Sequence, residues 1–342
     1  MSRTDFNEPK KAPGNGLTPS AERYISAVKK TMAEGAVSLN EIPIEAYRNM
    51  CDGYANQSGS FAPGIISSTI ELSIGDGVSL FTKIFDIEGE ESDRKPVLIW
   101  IPGGGFIAYL KGCHDSSCSI IAANSGYRVM LVHPRLAPEF KAPIPLEDVC
   151  AAVIAIYTQA ADFHIDPDHI VLGGDSSGAN LSLGCAIRFR DSLAAGKEAP
   201  VLSELILLSG TYDLTLSVRT PEITVYEKED FMGDESFEYM FSHYLPKDML
   251  RSHPEVSPWF HDLHGLPEMF LIVAEYDGVR SQSDALHQRL LQKNIMHRYC
   301  MVAGQTHSFF LLRGVMPDGD NPADIIAENL CNNHYQRLTS KI

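Results

Sequence analysis

Apolar and polar positions change period along the chain, and the changes divide it into three parts. Tyr24, Val28 and Met32 recur at i, i+4 and i+8, with Ile25 beside them. They follow Thr18-Pro19-Ser20-Ala21-Glu22, a helix start with proline in its first turn. A second amphipathic helix is predicted from about Pro43 to Tyr54, with Ala46, Tyr47, Met50 and Cys51 on one side. Two short helices ahead of any strand must bury their apolar faces on something C-terminal. After Pro63 the period falls to two. Residues 68–74 and 78–85 alternate around Gly75-Asp76-Gly77 and predict an antiparallel hairpin. Continuous apolar runs then replace alternation, at 97–101, 127–132, 169–172, 205–208, 270–274 and 298–302. Helical stretches lie between them, for example 146–160 and 281–292. Strands apolar on both faces that alternate with helices predict an α/β fold with a mostly parallel sheet covered on both sides. The interval from about 214 to 266 breaks the rhythm. It is rich in Glu, Asp, Phe, Tyr, His and Pro, and long insertions of this kind tend to be functional.

Composition narrows the picture. A chain of 342 residues with 44% hydrophobic content can build one large domain with a cap, or two small domains. A net charge of −16 argues against nucleic acid or an anionic membrane surface as partner. The first 17 residues are polar and lack the apolar core of a secretory signal, and no run approaches the ~18 apolar residues of a membrane span. Seven widely spaced cysteines, an odd number, read as reduced and mostly core thiols of a cytoplasmic protein.

Chemistry enters at Gly174-Asp175-Ser176-Ser177-Gly178. The motif follows the apolar run 170–172 and precedes a helix-compatible run, the strand–turn–helix setting of a nucleophile elbow. Flanking glycines let strand and helix approach, and a serine hydroxyl on such a turn becomes reactive within reach of a base. Centring the motif on Ser177 would put Asp175 and Ala179 where glycines belong, so Ser176 is the candidate nucleophile.

A serine of this kind needs an imidazole, and the imidazole a carboxylate, in the chain order Ser, acid, His. Asp277 follows the run 270–274 at the mouth of a strand, with Glu275 and Asp284 as rival acids and a helix N-cap as its plainer role. His307 follows the last strand in the loop Gly304-Gln305-Thr306-His307, where an ordinary loop histidine is the alternative. Backbone donors for an oxyanion are expected from the Ser177 N–H and from Gly104 and Gly105, with Gly103 shaping the turn of Pro102-Gly103-Gly104-Gly105-Phe106. No Gly-Lys-Ser/Thr follows these glycines, which disfavours a phosphate loop.

Together these motifs resemble the hormone-sensitive-lipase-like group of α/β-hydrolase esterases. The resemblance runs in order from about residue 65 to 320. It includes Pro102 to Phe106, His114-Asp115-Ser116-Ser117-Cys118, Arg135-Leu136-Ala137-Pro138-Glu139, Gly174 to Gly178, Ser257-Pro258, Gly265-Leu266-Pro267, Glu275-Tyr276-Asp277 and Gly304 to His307. It implies an eight-stranded sheet with a helical cap, and hydrolysis of acyl esters by Ser176, Asp277 and His307 through an acyl-enzyme, with no cofactor. Three positions depart from the family pattern. Pro102 replaces the histidine before the glycines, Ser177 replaces an alanine, and Gly278-Val279-Arg280-Ser281 lacks the second acid often found after the first.

The expected organisation is a disordered leader at 1–17, cap helices at 18–62, and an α/β-hydrolase catalytic domain at 63–342 whose insertion at about 214–266 completes the cap. Aromatics in these segments, among them Tyr47, Phe61, Tyr226, Phe231, Phe237 and Tyr239, suggest an apolar pocket, although most would simply join cap to body. Cys113, His114 and Cys118 lack a second pair at ligand spacing, and His261 with His264 is likewise alone, so no metal is expected. The expected partner is a small-molecule ester, short to medium in acyl chain, with no stable membrane insertion and with room for a homodimer. A non-catalytic small-molecule receptor, an amidase and an acyltransferase on the same fold are the alternatives.

Overall fold

A computed structural model describes residues 16–34, 41–54, 57–218 and 233–339. Most of the expected leader, and residues 219–232 of the expected insertion with Tyr226 and Phe231, lie outside the described residues.

Two helices open the chain, α1 (Pro19–Glu34) and α2 (Ile44–Asp52). The hairpin follows as β1 (Ile65–Gly75) and β2 (Val78–Ile87), antiparallel and paired Leu72 with Leu80. The remaining elements alternate: β3 (Lys95–Ile101), α3 (Asp115–Ser125), β4 (Arg128–Val132), α4 (Ile144–Thr158), β5 (Ile165–Asp175), α5 (Ser177–Ala194) and β6 (Glu204–Leu208). After them come α6 (Asp234–Tyr244), β7 (Met269–Ala274), α7 (Arg280–Gln292), β8 (His297–Val302) and α8 (Pro322–Thr339). The eight strands form one sheet in the order β1-β2-β4-β3-β5-β6-β7-β8. β2 runs antiparallel to β4, and every pairing from β4 to β8 is parallel. Every residue of β3, β4, β6 and β7 is buried, as strands covered on both faces require.

Two apolar layers sandwich the sheet. One contains α1, α3 and α8 through Ile25, Ile121 and Ile326, and the other α4, α5 and α7 through Val153, Leu183 and Leu286. β5 is longer than its apolar run. The sequence pattern predicts residues 169–172, but pairing with β3 at Ile165 and at 170–174, and with β6 at Asp175, carries the strand from Ile165 to Asp175. Polar Asp166 and Asp168 hide that extension, because pairing with a neighbour decides strand ends that local preference does not.

Parallel pairing aligns the carboxyl ends. Ile101 of β3 pairs with Gly174 of β5, and Ala274 of β7 pairs with Val302 of β8. The segments after these four strands therefore leave the sheet along one edge, which is where open α/β sheets gather their ligand-binding groups.

Candidate active site

Ser176 sits between β5 and α5 with φ +53° and ψ −120°, a conformation that L residues rarely hold. The flanking glycines permit it. A Cβ on Gly178 would stand 2.0 Å from the Ile101 carbonyl oxygen, and one on Gly174 would stand 2.6 Å from the Gly178 carbonyl carbon. Only bare α-carbons let α5 leave the sheet so close to β3.

His307 begins a short 3-10 turn, His307–Phe310, rather than lying in open loop. The Ser176 hydroxyl meets His307 Nε2 at 3.1 Å, and His307 Nδ1–H donates to Asp277 Oδ1 at 2.9 Å. Asp277 is fully buried, and the same Oδ1 accepts the Val279 N–H at 2.8 Å as the chain enters α7. The carboxylate thus holds the imidazole and the helix start at once, so the two roles weighed for it are compatible. The rival acids point elsewhere. Glu275 Oε2 accepts the Gly304 N–H at 2.9 Å, and Asp284 takes the Tyr299 hydroxyl and Arg280.

Ser176 and His307 open onto a cavity of about 150 Å³ whose wall includes Gly104 and Gly105. Ser177 is the first residue of α5, where an N–H has no intrahelical partner and lies at the positive end of the helix. Gly103 is placed differently. Its backbone lies against the Asp175 carboxylate, and a Cβ there would stand 2.5 Å from Asp175 Oδ2.

Two contacts go beyond what the motifs suggested. Asp175 Oδ1 accepts both the Trp100 indole N–H and His114 Nε2–H, each at 2.9 Å. Burial pushes the Asp175 carboxyl up, but the His114 charge and hydrogen bond, with those of Trp100 and Gly103, hold it below its ordinary value. His114, weighed above as a metal ligand, is occupied by this bond. The Ser177 hydroxyl, in turn, accepts the Phe106 N–H at 3.3 Å, so this serine braces the glycine loop. An alanine could not. Sequence motifs marked His114, Asp175 and Ser177 by position, but no local pattern states that they meet across the sheet edge.

Three segments remote from the strand ends line the same cavity: Tyr24 of α1, Tyr47 and Met50 of α2, and Met240 of α6. Arg48 fastens α2 to the body. Its guanidinium donates to the carbonyls of Ile107 and Ala137, both at 2.8 Å, and in bidentate fashion to Glu139 at 2.7 Å. The Tyr239 hydroxyl of α6 donates to the Ile42 carbonyl at 2.8 Å, joining α6 to the chain just before α2. The Thr18 N–H donates to the Gly304 carbonyl at 2.9 Å, which ties the start of α1 to the loop that carries His307.

The sequence matches a family model described as alpha/beta hydrolase fold over residues 98–311, more than half of the chain. The chain belongs to the alpha/beta hydrolase fold family. An ethyl acetate hydrolase of Pseudomonas putida is 25% identical over 322 residues, covering 92% of this hydrolase and 98% of the relative. An esterase of Acinetobacter venetianus is 27% identical over 253 residues, covering 72% and 79%. Among solved structures, an alpha/beta hydrolase enzyme from the metagenome of Lake Arreo, Spain, superposes with a TM-score of 0.82 at 24% identity, covering 94% of this chain and 99% of that one. An esterase of Pyrobaculum calidifontis gives 0.78 at 22% identity, covering 93% and 99%. These superpositions establish the fold, and the sheet of this chain has the eight strands that the resemblance implied. Among the described residues of this hydrolase, no helix is long and apolar enough to cross a membrane.

Proposed function

We propose that this hydrolase cleaves carboxylic esters of short to medium acyl chain in two acyl-transfer steps. The observation that carries the proposal is the unbroken path from Asp277 Oδ1 through the His307 imidazole to the Ser176 hydroxyl, opening onto a cavity beside Gly104 and Gly105. His307 takes the Ser176 proton as Oγ attacks the ester carbonyl carbon. Asp277 fixes the tautomer and stabilises the imidazolium. The N–H groups of Gly104, Gly105 and Ser177 receive the negative oxygen of the tetrahedral intermediate. His307 then gives its proton to the departing alkoxide. A water molecule, deprotonated by the same imidazole, releases the acid from the acyl-serine.

The wall residues support a neutral, apolar acyl group. Tyr24, Met50, Leu110, Met240 and Leu311 face the cavity, and the one carboxylate among the described residues of its wall, Asp175, is already held by the Trp100 and His114 donors. The segments α1, α2 and α6 would serve as the cap over that group, in a cytoplasmic enzyme. The test pairs a chain-length series of nitrophenyl esters with a fluorophosphonate label. Wild type should label at Ser176 and turn over the shorter esters. Ser176→Ala should lose both activities, with kcat down by several orders of magnitude. Binding of the esters without turnover or labelling would instead identify a receptor. A matched amide cleaved as fast as the ester would identify an amidase.

A further inference from the structure

Gly103, Gly104 and Gly105 carry no side chains, so their surroundings can grip the glycine loop only through its backbone and through the residues at its two ends. Pro102, at one end, offers neither an N–H nor a polar side chain. Phe106, at the other, has φ +69°, a left-handed conformation that a residue with a Cβ keeps only where its neighbours impose it. Three neighbours do so. The Ser177 hydroxyl accepts its N–H at 3.3 Å, and the Ala137 N–H donates to its carbonyl at 3.0 Å. Its ring is stacked on that of Tyr244, with centroids 3.9 Å apart and planes 7° from parallel. Tyr244 is the last residue of α6 and is fully buried. Its hydroxyl has no hydrogen-bond partner among the described residues, so the ring makes the contact. One turn back along α6, Met240 lies on Gly105, where a Cβ would stand 2.0 Å from its Sδ. The Ala142 N–H donates to the Tyr244 carbonyl at 3.0 Å and fixes the end of the helix. α6 therefore bears on two consecutive residues of the loop.

We propose that Tyr244 is a positioning residue for ester hydrolysis, whose ring holds Phe106 in its left-handed turn and thereby keeps the Gly104 and Gly105 N–H groups aimed at the reacting carbonyl. The inference rests on the function proposed above, because an oxyanion site is what the loop would supply. Glycine populates positive and negative φ about equally, so nothing intrinsic selects +135° at Gly104 or +63° at Gly105. Those angles are set from the ends of the loop, and Phe106 is the end with a ring to hold. Preorganised donors act on charge that develops only in the transition state, so a loosened loop slows the chemistry and leaves ground-state binding intact. Tyr244 also belongs to the helix whose Met240 lines the cavity. Seating α6 over the substrate and setting the oxyanion donors are thus one packing event, in which the cap completes the site that it covers.

The experiment reads backbone hydrogen exchange across residues 103–108 together with kcat and KM on a nitrophenyl ester. Tyr244→Leu should speed exchange there by about tenfold or more. Its kcat should fall about 100-fold, the effect of one lost oxyanion donor, with KM within about threefold of wild type. Tyr244→Phe keeps the ring and should rescue both readouts. Ile326→Ala, in the opposite apolar layer, should lower the urea midpoint and move neither. Where Tyr244→Leu does not fold, Phe106→Leu removes the same stack from the loop side and is read in the same way. Unchanged exchange across 103–108 in the folded leucine variant overturns the proposal. A kcat within about threefold of wild type does so as well, as does a rise in KM at constant kcat, which would make Tyr244 a residue of the substrate pocket. A wild type without esterase activity would sink the proposed function instead, and exchange in the loop would then decide the Tyr244 contact by itself.

Discussion

Asp175→Asn isolates the link between the buried carboxylate and the glycine loop. Oδ1 accepts the Trp100 and His114 donors at 2.9 Å each, and Oδ2 is the oxygen nearest Gly103. An asparagine can keep both donors on its amide oxygen. Its NH2 group then replaces Oδ2 against the Gly103 backbone, so an uncharged donor stands where the loop now meets a carboxylate oxygen. Residue 175 is 4% exposed, so water can do little to repair the mismatch. Losing one hydrogen bond to a charged group costs about 1.5–3 kcal/mol, and stability should fall by roughly that amount. Gly103 is covalently joined to Gly104, so the strain is transmitted directly to a proposed oxyanion donor. A displacement on the order of 1 Å in such a group lowers the rate by about 100-fold. The assay is kcat and KM on a nitrophenyl ester, beside a urea midpoint at constant m. The expected result is a fall in kcat much larger than any change in KM. A variant that loses stability yet keeps kcat within about threefold would refute the coupling and leave Asp175 a structural residue only.

Three further outcomes are expected. Gly105→Ala places a Cβ 2.0 Å from Met240 Sδ on a backbone with φ +63°, so kcat/KM should fall. Met240→Ala in the same chain should restore part of it, and a double-mutant cycle without coupling would contradict the contact. Arg48→Ala removes the donors to Ile107, Ala137 and Glu139, so α2 should become more susceptible to limited proteolysis and KM should rise severalfold, with kcat nearly unchanged. An unaltered cleavage rate in α2 would count against that tie. Burial lowers the His133 imidazole from 6.5 to about 4, so the folded state keeps it neutral where the unfolded chain protonates it. Its stabilising contribution is complete above pH 6.5 and is lost as pH falls toward 4. His133→Gln should flatten the urea midpoint across that window, and identical pH profiles for the two proteins would exclude the effect.

Much of this arrangement was legible along the chain. The change from period two at 68–85 to doubly apolar runs marks the hairpin and the parallel strands, because side chains alternate between faces and both faces of a covered strand must be apolar. The spacing of the glycines around Ser176 was legible for a similar reason. A missing Cβ is a local fact, and Gly178 has room for none. Less legible was the length of β5, whose polar stretch 166–169 is bracketed by pairing with β3 at Ile165 and from Ile170 onward.

Local covalent structure and hydrophobic period determined, from the sequence alone, which segments are strands, several of the helices between them, and which serine stands on the strained turn. Only the tertiary structure decided that His114 and Trp100 share one oxygen of Asp175, that the Ser177 hydroxyl braces Phe106, and that α1, α2 and α6 converge on one cavity. The reason is physical. Period and turn chemistry act over a few residues, whereas these contacts join groups far apart in the chain. Such groups meet only after the sheet has aligned its strand ends and the two apolar layers have closed around it.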